Sequence, residues 1–130
     1  MEASRILELL DELTEIVEIH VRNSLNLCLC GGMQTLLQMA FENPSADVRA
    51  AALGVFSYTN SNNVEVQQIT GKLGALNLLH QYLREETPRN KEAVISGLSS
   101  YLRGINTDGK RLFLSEYDGL SFLKQALMQA

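Results

Sequence analysis

Residues 73–103 read LGALNLLHQYLREETPRNKEAVISGLSSYLR and hold one complete copy of a unit that the rest of the chain repeats in part. A glycine opens a short apolar helix pattern, Thr87-Pro88 breaks it, and a longer helix pattern with small residues along one face follows. Thr87 reads as an N-cap with Pro88 at the first helical position, where its missing N–H costs nothing. Moved 42 positions upstream, Gly74 falls on Gly32, Leu78-Leu79 on Leu36-Leu37, Ala93 on Ala51 and Leu98 on Phe56, with Pro44 near the place of Pro88. A further 42 positions back, Ala51, Ala52, Val55 and Thr59 fall on Leu9, Leu10, Leu13 and Val17. Downstream, Tyr117-Asp118-Gly119-Leu120-Ser121-Phe122-Leu123 repeats the opening after 45 residues.

A period of about 40 to 47 residues with helical patterning throughout is the mark of an armadillo or HEAT solenoid. The expected fold is therefore all-α, one armadillo-like domain over residues 1–130, with one complete repeat and partial repeats on either side. Gly32, Gly74 and Gly119 are expected at equivalent helix junctions, because each precedes an apolar helix pattern.

Along the chain, residues 3–20 form a first helix with Ile6, Leu9, Leu10, Leu13, Ile16 and Val17 on one face and Glu2, Glu8, Asp11, Glu12, Glu15 and Glu18 on the others. A short segment from Asn23 to Cys30 stops at Gly31-Gly32, and Met33–Glu42 follows. Ser45 is the N-cap expected for a long helix to Asn60, with Asp47 favourable in its first turn. Asn62-Asn63 closes that helix, and Val64, Val66 and Ile69 mark a short connecting one. Residues 107–116 and 118–129 give a last short pair, whose Phe122, Leu123, Leu127 and Met128 lack a covering third helix. They are expected either to fold back onto Leu112, Phe113 and Leu114 or to pair with a second chain, giving a homodimer through the C-terminal end.

Charge and composition set limits on function. The formal charge is −4 and the pI about 5.1, against the basic stripe that nucleic-acid binding needs. No apolar run reaches the length of a membrane span, and two reduced thiols at Cys28 and Cys30 fit a cytosolic setting, so the expectation is a cytoplasmic protein. Cys28 and Cys30 diverge by about 200° around a helix, too far apart in direction for an unstrained disulfide. His20 and His80 sit in different repeats without ligand-type neighbours, and Ser99-Ser100 lies inside a helix pattern with no oxyanion hole. The expectation is no catalytic residue, no metal and no cofactor.

The third helices of such repeats line the concave face. Taking Ala51, Ala52, Val55, Phe56 and Thr59 as core leaves Ala50, Gly54, Ser57, Tyr58 and Ser61 outward. The same register gives Glu92, Ser96, Ser99, Ser100 and Arg103, and on the first helix Glu8, Glu12, Glu15, Ile16 and Ile19. This makes a candidate groove that is small-sided in the middle and acidic at one end, with Tyr58 as an aromatic anchor. Small residues that merely permit tight helix packing would give the same pattern.

Several stretches resemble the armadillo-type nucleotide exchange factors and binding proteins of the heat-shock protein 70 chaperones. They are Leu9-Leu10-Asp11-Glu12-Leu13, Leu27-Cys28-Leu29-Cys30-Gly31-Gly32-Met33, Arg49-Ala50-Ala51-Ala52-Leu53, Leu73-Gly74-Ala75-Leu76, Gly97-Leu98-Ser99-Ser100-Tyr101-Leu102-Arg103 and Tyr117-Asp118-Gly119-Leu120. Their order and spacing over residues 7–127 carry the resemblance. Residues 19–22 have no counterpart of that family's Asp-Asn-Ala stretch. The resemblance implies a non-enzymatic co-chaperone whose groove binds the ATPase domain of a heat-shock protein 70 and promotes ADP release. The alternative is an armadillo scaffold for another protein.

Overall fold

The computed structural model describes residues 2–104 and 106–128, without the side chains of Ala126 and Leu127. Among the described residues nine helices run in order: α1 Ala3–Ile19, α2 Val21–Leu29, α3 Gly32–Glu42, α4 Ala46–Asn60, α5 Val64–Lys72, α6 Ala75–Glu85, α7 Pro88–Leu102, α8 Thr107–Ser115 and α9 Gly119–Met128. No strand occurs among the described residues. No helix among them is long and apolar enough to cross a membrane.

The helices recur in kind. The long ones start at Ala3, Ala46 and Pro88, 43 and 42 residues apart; α2, α5 and α8 start 43 residues apart; α3, α6 and α9 start 43 and 44 apart. Like lies on like: α4 packs against both α1 and α7, α2 against α5, and α3 against α6. Since α3 also packs on α4, that helix has neighbours on three sides. Ala52, Leu53, Val55 and Phe56 are accordingly buried. Leu53 lies outside the core positions expected from helical phase, and its equivalents Asp11 and Ile95 are exposed; among the described residues only α4 has a long helix on either side.

The structure shows what ends and starts these helices. His20, Asn63 and Asn106, spaced 43 residues apart, are the N-caps of α2, α5 and α8. Their side chains accept from the backbone N–H of Arg22 at 3.0 Å, Val66 at 3.2 Å and Gly109 at 3.1 Å. Each satisfies a donor that the first helical turn leaves unpaired. Asn63 thus begins α5 and does not close α4, and His20 is a cap on the surface. Ser45 caps α4 as expected, its hydroxyl accepting from Val48 at 3.3 Å. Thr87 takes the N-cap position of α7 without a side-chain cap bond.

Gly74 stands at the junction before α6 as expected, whereas the junctions before α3 and α9 correct the sequence reading by one residue. The left-handed residues are Gly31 (φ 83°), Gly74 (φ 82°) and Asp118 (φ 47°), whereas Gly32 and Gly119 are the first residues of their helices. Those two are small for a different reason. A Cβ on Gly32 would lie 2.3 Å from Leu27 Cδ1, and one on Gly119 would lie 2.6 Å from the Phe113 ring.

Polar side chains tie one long helix to the next at both ends. At the starts, Arg49 Nε and Nη2 donate to the two Glu86 carboxylate oxygens, each at 2.9 Å, while Nη1 donates to the Asn43 carbonyl at 2.8 Å. Glu86 also accepts from Thr87 N–H at 2.8 Å, and Asn90 Nδ2 donates to the Ala46 carbonyl at 2.8 Å. At the far ends, buried Gln67 on α5 donates from Nε2 to the carbonyls of Asn60 at 2.9 Å and of Ser100 and Arg103 at 3.0 Å. Two hydrogens serve three carbonyls, so one is shared. Related bonds run from Asn23 to the Ile16 carbonyl and from Lys110 to the Gly104 carbonyl. A side chain near the start of each of α2, α5 and α8 thus serves the carbonyl end of the helix or turn before it.

At the C-terminal end, Phe122 folds back into the core. Its ring lies 4.7 Å from His80 and 5.8 Å, edge-on, from Phe113, and Tyr117 lies 5.0 Å from His80. His80 is a packing residue, and burial pushes its pKa below the usual value. Leu112, Leu114, Leu120, Leu123 and Met128 remain exposed. The side chain of Leu127 lies outside the described residues.

Two predictions follow from these ties. Gly74→Val forces a β-branched residue into a left-handed conformation with no steric contact to blame, since nothing lies within 4 Å of the added Cβ. It should destabilise by about 1–2 kcal/mol, read as a lowered Tm; an unchanged Tm would contradict this backbone geometry. The hydrogen bonds from Arg49, with that from Thr87, outweigh burial and hold the Glu86 carboxyl below its ordinary value of 4.5. Its stabilisation is therefore full above that value and is lost as pH falls through the lower, folded-state value. Glu86→Gln should lose about 3 kcal/mol at neutral pH, and its deficit should shrink in acid. A constant deficit across the acid range would refute the pairing.

Candidate functional site

The row of long helices leaves a groove on one side, formed where α1 turns into α2, along α4, and beside α7. It holds about 800 Å³ and is lined by Val17, Glu18, Val21, Ser24, Ala50, Gly54, Ser57, Tyr58, Thr59, Ser61, Asn62, Asn63, Ala93 and Ser96. The volume falls in the range of sites that take a sizeable group, and the floor is α4. Tyr58 is 46 % exposed there, with Gly54 one turn before it. Small side chains from Ala50, Ser57, Ala93 and Ser96 leave the space around its ring open. The Ser57 hydroxyl is buried and finds no partner within the protein.

Each part of the groove has a local cause. The chain turns sharply at His20, in extended conformation (φ −152°, ψ 134°), which brings Val21 and Ser24 of α2 beside the end of α1. Asn62, left-handed at φ 55°, turns the chain out of α4, and Asn63 then opens α5. Among the described residues of the lining, Glu18 is the one that carries a charge. It stands at the end of α1, the helix that carries the acidic residues.

Of the residues expected in the groove, Gly54, Ser57, Tyr58, Ser61 and Ser96 line it. Glu8, Glu12, Glu15, Glu92, Ser99 and Arg103 are exposed but outside the lining, and Arg103 instead donates to the Ser99 hydroxyl at 3.0 Å. Ser100 is a correction. It is only 6 % exposed, because Gln67 draws the carbonyl end of α7 against α5, where Ser100 is enclosed. Helical phase alone equated it with Tyr58, a residue with no such neighbour. The wall supplied by Val21, Ser24, Asn62 and Asn63 was missed, since it depends on turns between helices. Glu18 was within reach, one turn beyond Glu15.

Among the described residues, no three His, Cys, Asp or Glu side chains gather to hold a metal ion. Cys28 and Cys30 are free thiols, the first buried and the second exposed. Burial, then the charge of Cys30, pushes the Cys28 thiol up, away from the thiolate form that reactivity needs. No family model matches the chain, and no curated protein or solved structure matches it.

Gly54 separates the two uses of small residues. A Cβ added there meets nothing within 4 Å, whereas one on Gly97 would lie 3.2 Å from Phe56 and 3.4 Å from Leu79. Gly54 therefore serves the groove and Gly97 serves helix packing. Gly54→Ala should stabilise the fold by about 0.5–1 kcal/mol, the usual helix-interior difference, and Gly97→Ala should not. Equal loss of stability in thermal unfolding would put Gly54 in the packing class.

Proposed function

We propose that this chain is an armadillo-like helical module that binds a protein surface in the groove, and that its partner is the ATPase domain of a heat-shock protein 70. On this reading it is a non-enzymatic co-chaperone that promotes ADP release, uses no cofactor and works in the cytoplasm, where free thiols persist. One observation carries the binding: a half-exposed Tyr58 ring stands in an open groove whose other central side chains are small. A protruding element of a partner enters such a space, and a large ring at its centre is the usual form of a hot spot. The recurrence of like helices at 42 to 44 residues supports the armadillo reading. The order of the family-like stretches from Leu9 to Leu120 supports the choice of partner.

In this mechanism the module acts by differential binding. It favours the form of the ATPase domain that has released nucleotide, and shifts the population only by its preference for that form. Tyr58 and the small residues around it supply contact area, while Glu18, with Glu12 and Glu15 further along α1, meets basic groups and speeds encounter.

The test is release of a fluorescent nucleotide from the chaperone ATPase domain. Tyr58→Ala should remove about 2 kcal/mol of binding, roughly 30-fold in affinity, and slow exchange correspondingly. Glu12→Lys with Glu15→Lys should lower the association rate, most at low salt. Changes at exposed Gln38 and Gln81 should leave both unaffected. If the folded parent has no effect on release, the exchange function is wrong. If it accelerates release and folded Tyr58→Ala does so equally, the groove assignment is wrong.

A further inference from the structure

Two hydroxyls in the lining of the groove are left unbonded by the fold. Ser24, on α2, is 4 % exposed, yet its side chain makes no hydrogen bond to another described residue. Ser57, on α4, has its hydroxyl enclosed and equally without a partner. A hydroxyl on a helix ordinarily folds back onto a carbonyl of the preceding turn. Elsewhere in this chain it does so: Thr14 donates to the Leu10 carbonyl at 2.9 Å, Thr59 to that of Phe56 at 3.0 Å and Ser115 to that of Arg111 at 2.7 Å. Ser24 and Ser57 depart from that habit, and both line the same cavity.

The charge of the lining narrows what can satisfy them. Glu18 is exposed, and no Lys, Arg or His stands with it among the described lining residues. An apolar occupant would seal both hydroxyls away from water without a bond, which is unfavourable. An anionic occupant would meet only a carboxylate. A cationic hydrogen-bond donor answers both features, because hydroxyl oxygens accept and the carboxylate supplies the opposite charge. The Tyr58 ring decides between the two cationic side chains. It is 46 % exposed, and a Cβ added to Gly54, one turn before it, meets nothing within 4 Å. A planar guanidinium stacks on such a ring and carries five donors, whereas an ammonium is a compact, strongly hydrated point charge.

We propose that the groove takes an arginine side chain of its protein partner, stacked on Tyr58, with the Ser24 and Ser57 hydroxyls as acceptors and Glu18 as the opposite charge. The inference rests on the reading of the groove as a protein-binding site, but not on which protein binds there.

The test is titration of the isotope-labelled full chain, followed by NMR, with the acetylated amides of arginine, lysine and citrulline, the last having the shape of arginine without its charge. The arginine compound should shift the signals of Ser24, Gly54, Ser57 and Tyr58 saturably, with lysine weaker and citrulline weakest. Glu18→Gln should lower the arginine affinity about fivefold, the scale of one partly wet charge pair, and should bring it near that of citrulline. Ser24→Ala removes an unbonded buried hydroxyl, so Tm should stay level or rise while the arginine affinity falls; a serine with a merely structural role would not give that combination. Equal affinity for arginine and citrulline, shifts confined to other parts of the chain, the absence of saturable shifts, or a Ser24→Ala variant that binds arginine as well as the parent each overturns the proposal. A chaperone ATPase domain added to the same samples separates the two readings. If it binds in a Tyr58-dependent way and the arginine compound fails to displace it, this inference falls and the groove reading stands. If the arginine compound occupies the groove and the ATPase domain does not bind, this inference stands and the choice of partner falls.

Discussion

The bidentate pair between Arg49 and Glu86 is the contact on which the rest of the helix row depends. It fixes the start of α4 to the turn before α7 with two 2.9 Å hydrogen bonds. The Glu86 side chain is 4 % exposed and that of Arg49 18 %, so each charge has little water and relies on the other to compensate its burial. A buried pair of this type adds little over an apolar contact of the same shape, but losing one partner is expensive, and it therefore specifies position more than it adds stability. Position is what the row needs, because α4 and α7 meet along small or closely fitted residues. Gly97 against Phe56 leaves no room for a methyl group without adjustment.

Gln67 does at the opposite end what Arg49 does at the start. Helix ends leave carbonyls unsatisfied, and in a row of parallel helices those of α4 and α7 come together in a place that water does not reach. One amide group on α5 serves both. With both ends held, the rows of side chains on α4 that are not needed for packing keep a fixed direction. The groove is the result: Tyr58, Gly54 and Ser57 are presented on a floor that cannot roll. For the binding proposed above, a floor held in place keeps the ring ordered before a partner arrives, which lowers the cost of association.

The small residues have two separate roles. Gly97, Gly32 and Gly119 are small because a neighbour already fills the space, whereas Gly54 is small with nothing against it. In sequence the two kinds look alike, for both interrupt an apolar pattern with a glycine. Only the neighbouring element tells them apart, and that element comes from tens of residues away.

By itself the sequence determined the helical class, a period of about 40 to 47 residues, the Ser45 cap, the break at Thr87-Pro88, and that Gly54, Ser57, Tyr58, Ser61 and Ser96, which line the cavity, lie off the expected core face. These follow from local rules, the spacing of apolar side chains and the stereochemistry of caps and proline, and they need no partner to be legible. Tertiary structure alone decided that Leu53 is buried, that Ser100 is enclosed, that His20, Asn63 and Asn106 are serial caps, and that Gly31 and Asp118 take the junction geometry expected of Gly32 and Gly119. It also decided the groove wall from Val21 to Ser24 and the turn at Asn62. Each of these depends on which helix lies beside which, and on where a buried polar group finds its partner. Helical phase gives the direction of a side chain around its own axis, but whether that direction meets solvent or another helix is settled only when Arg49 and Gln67 fix the helices together.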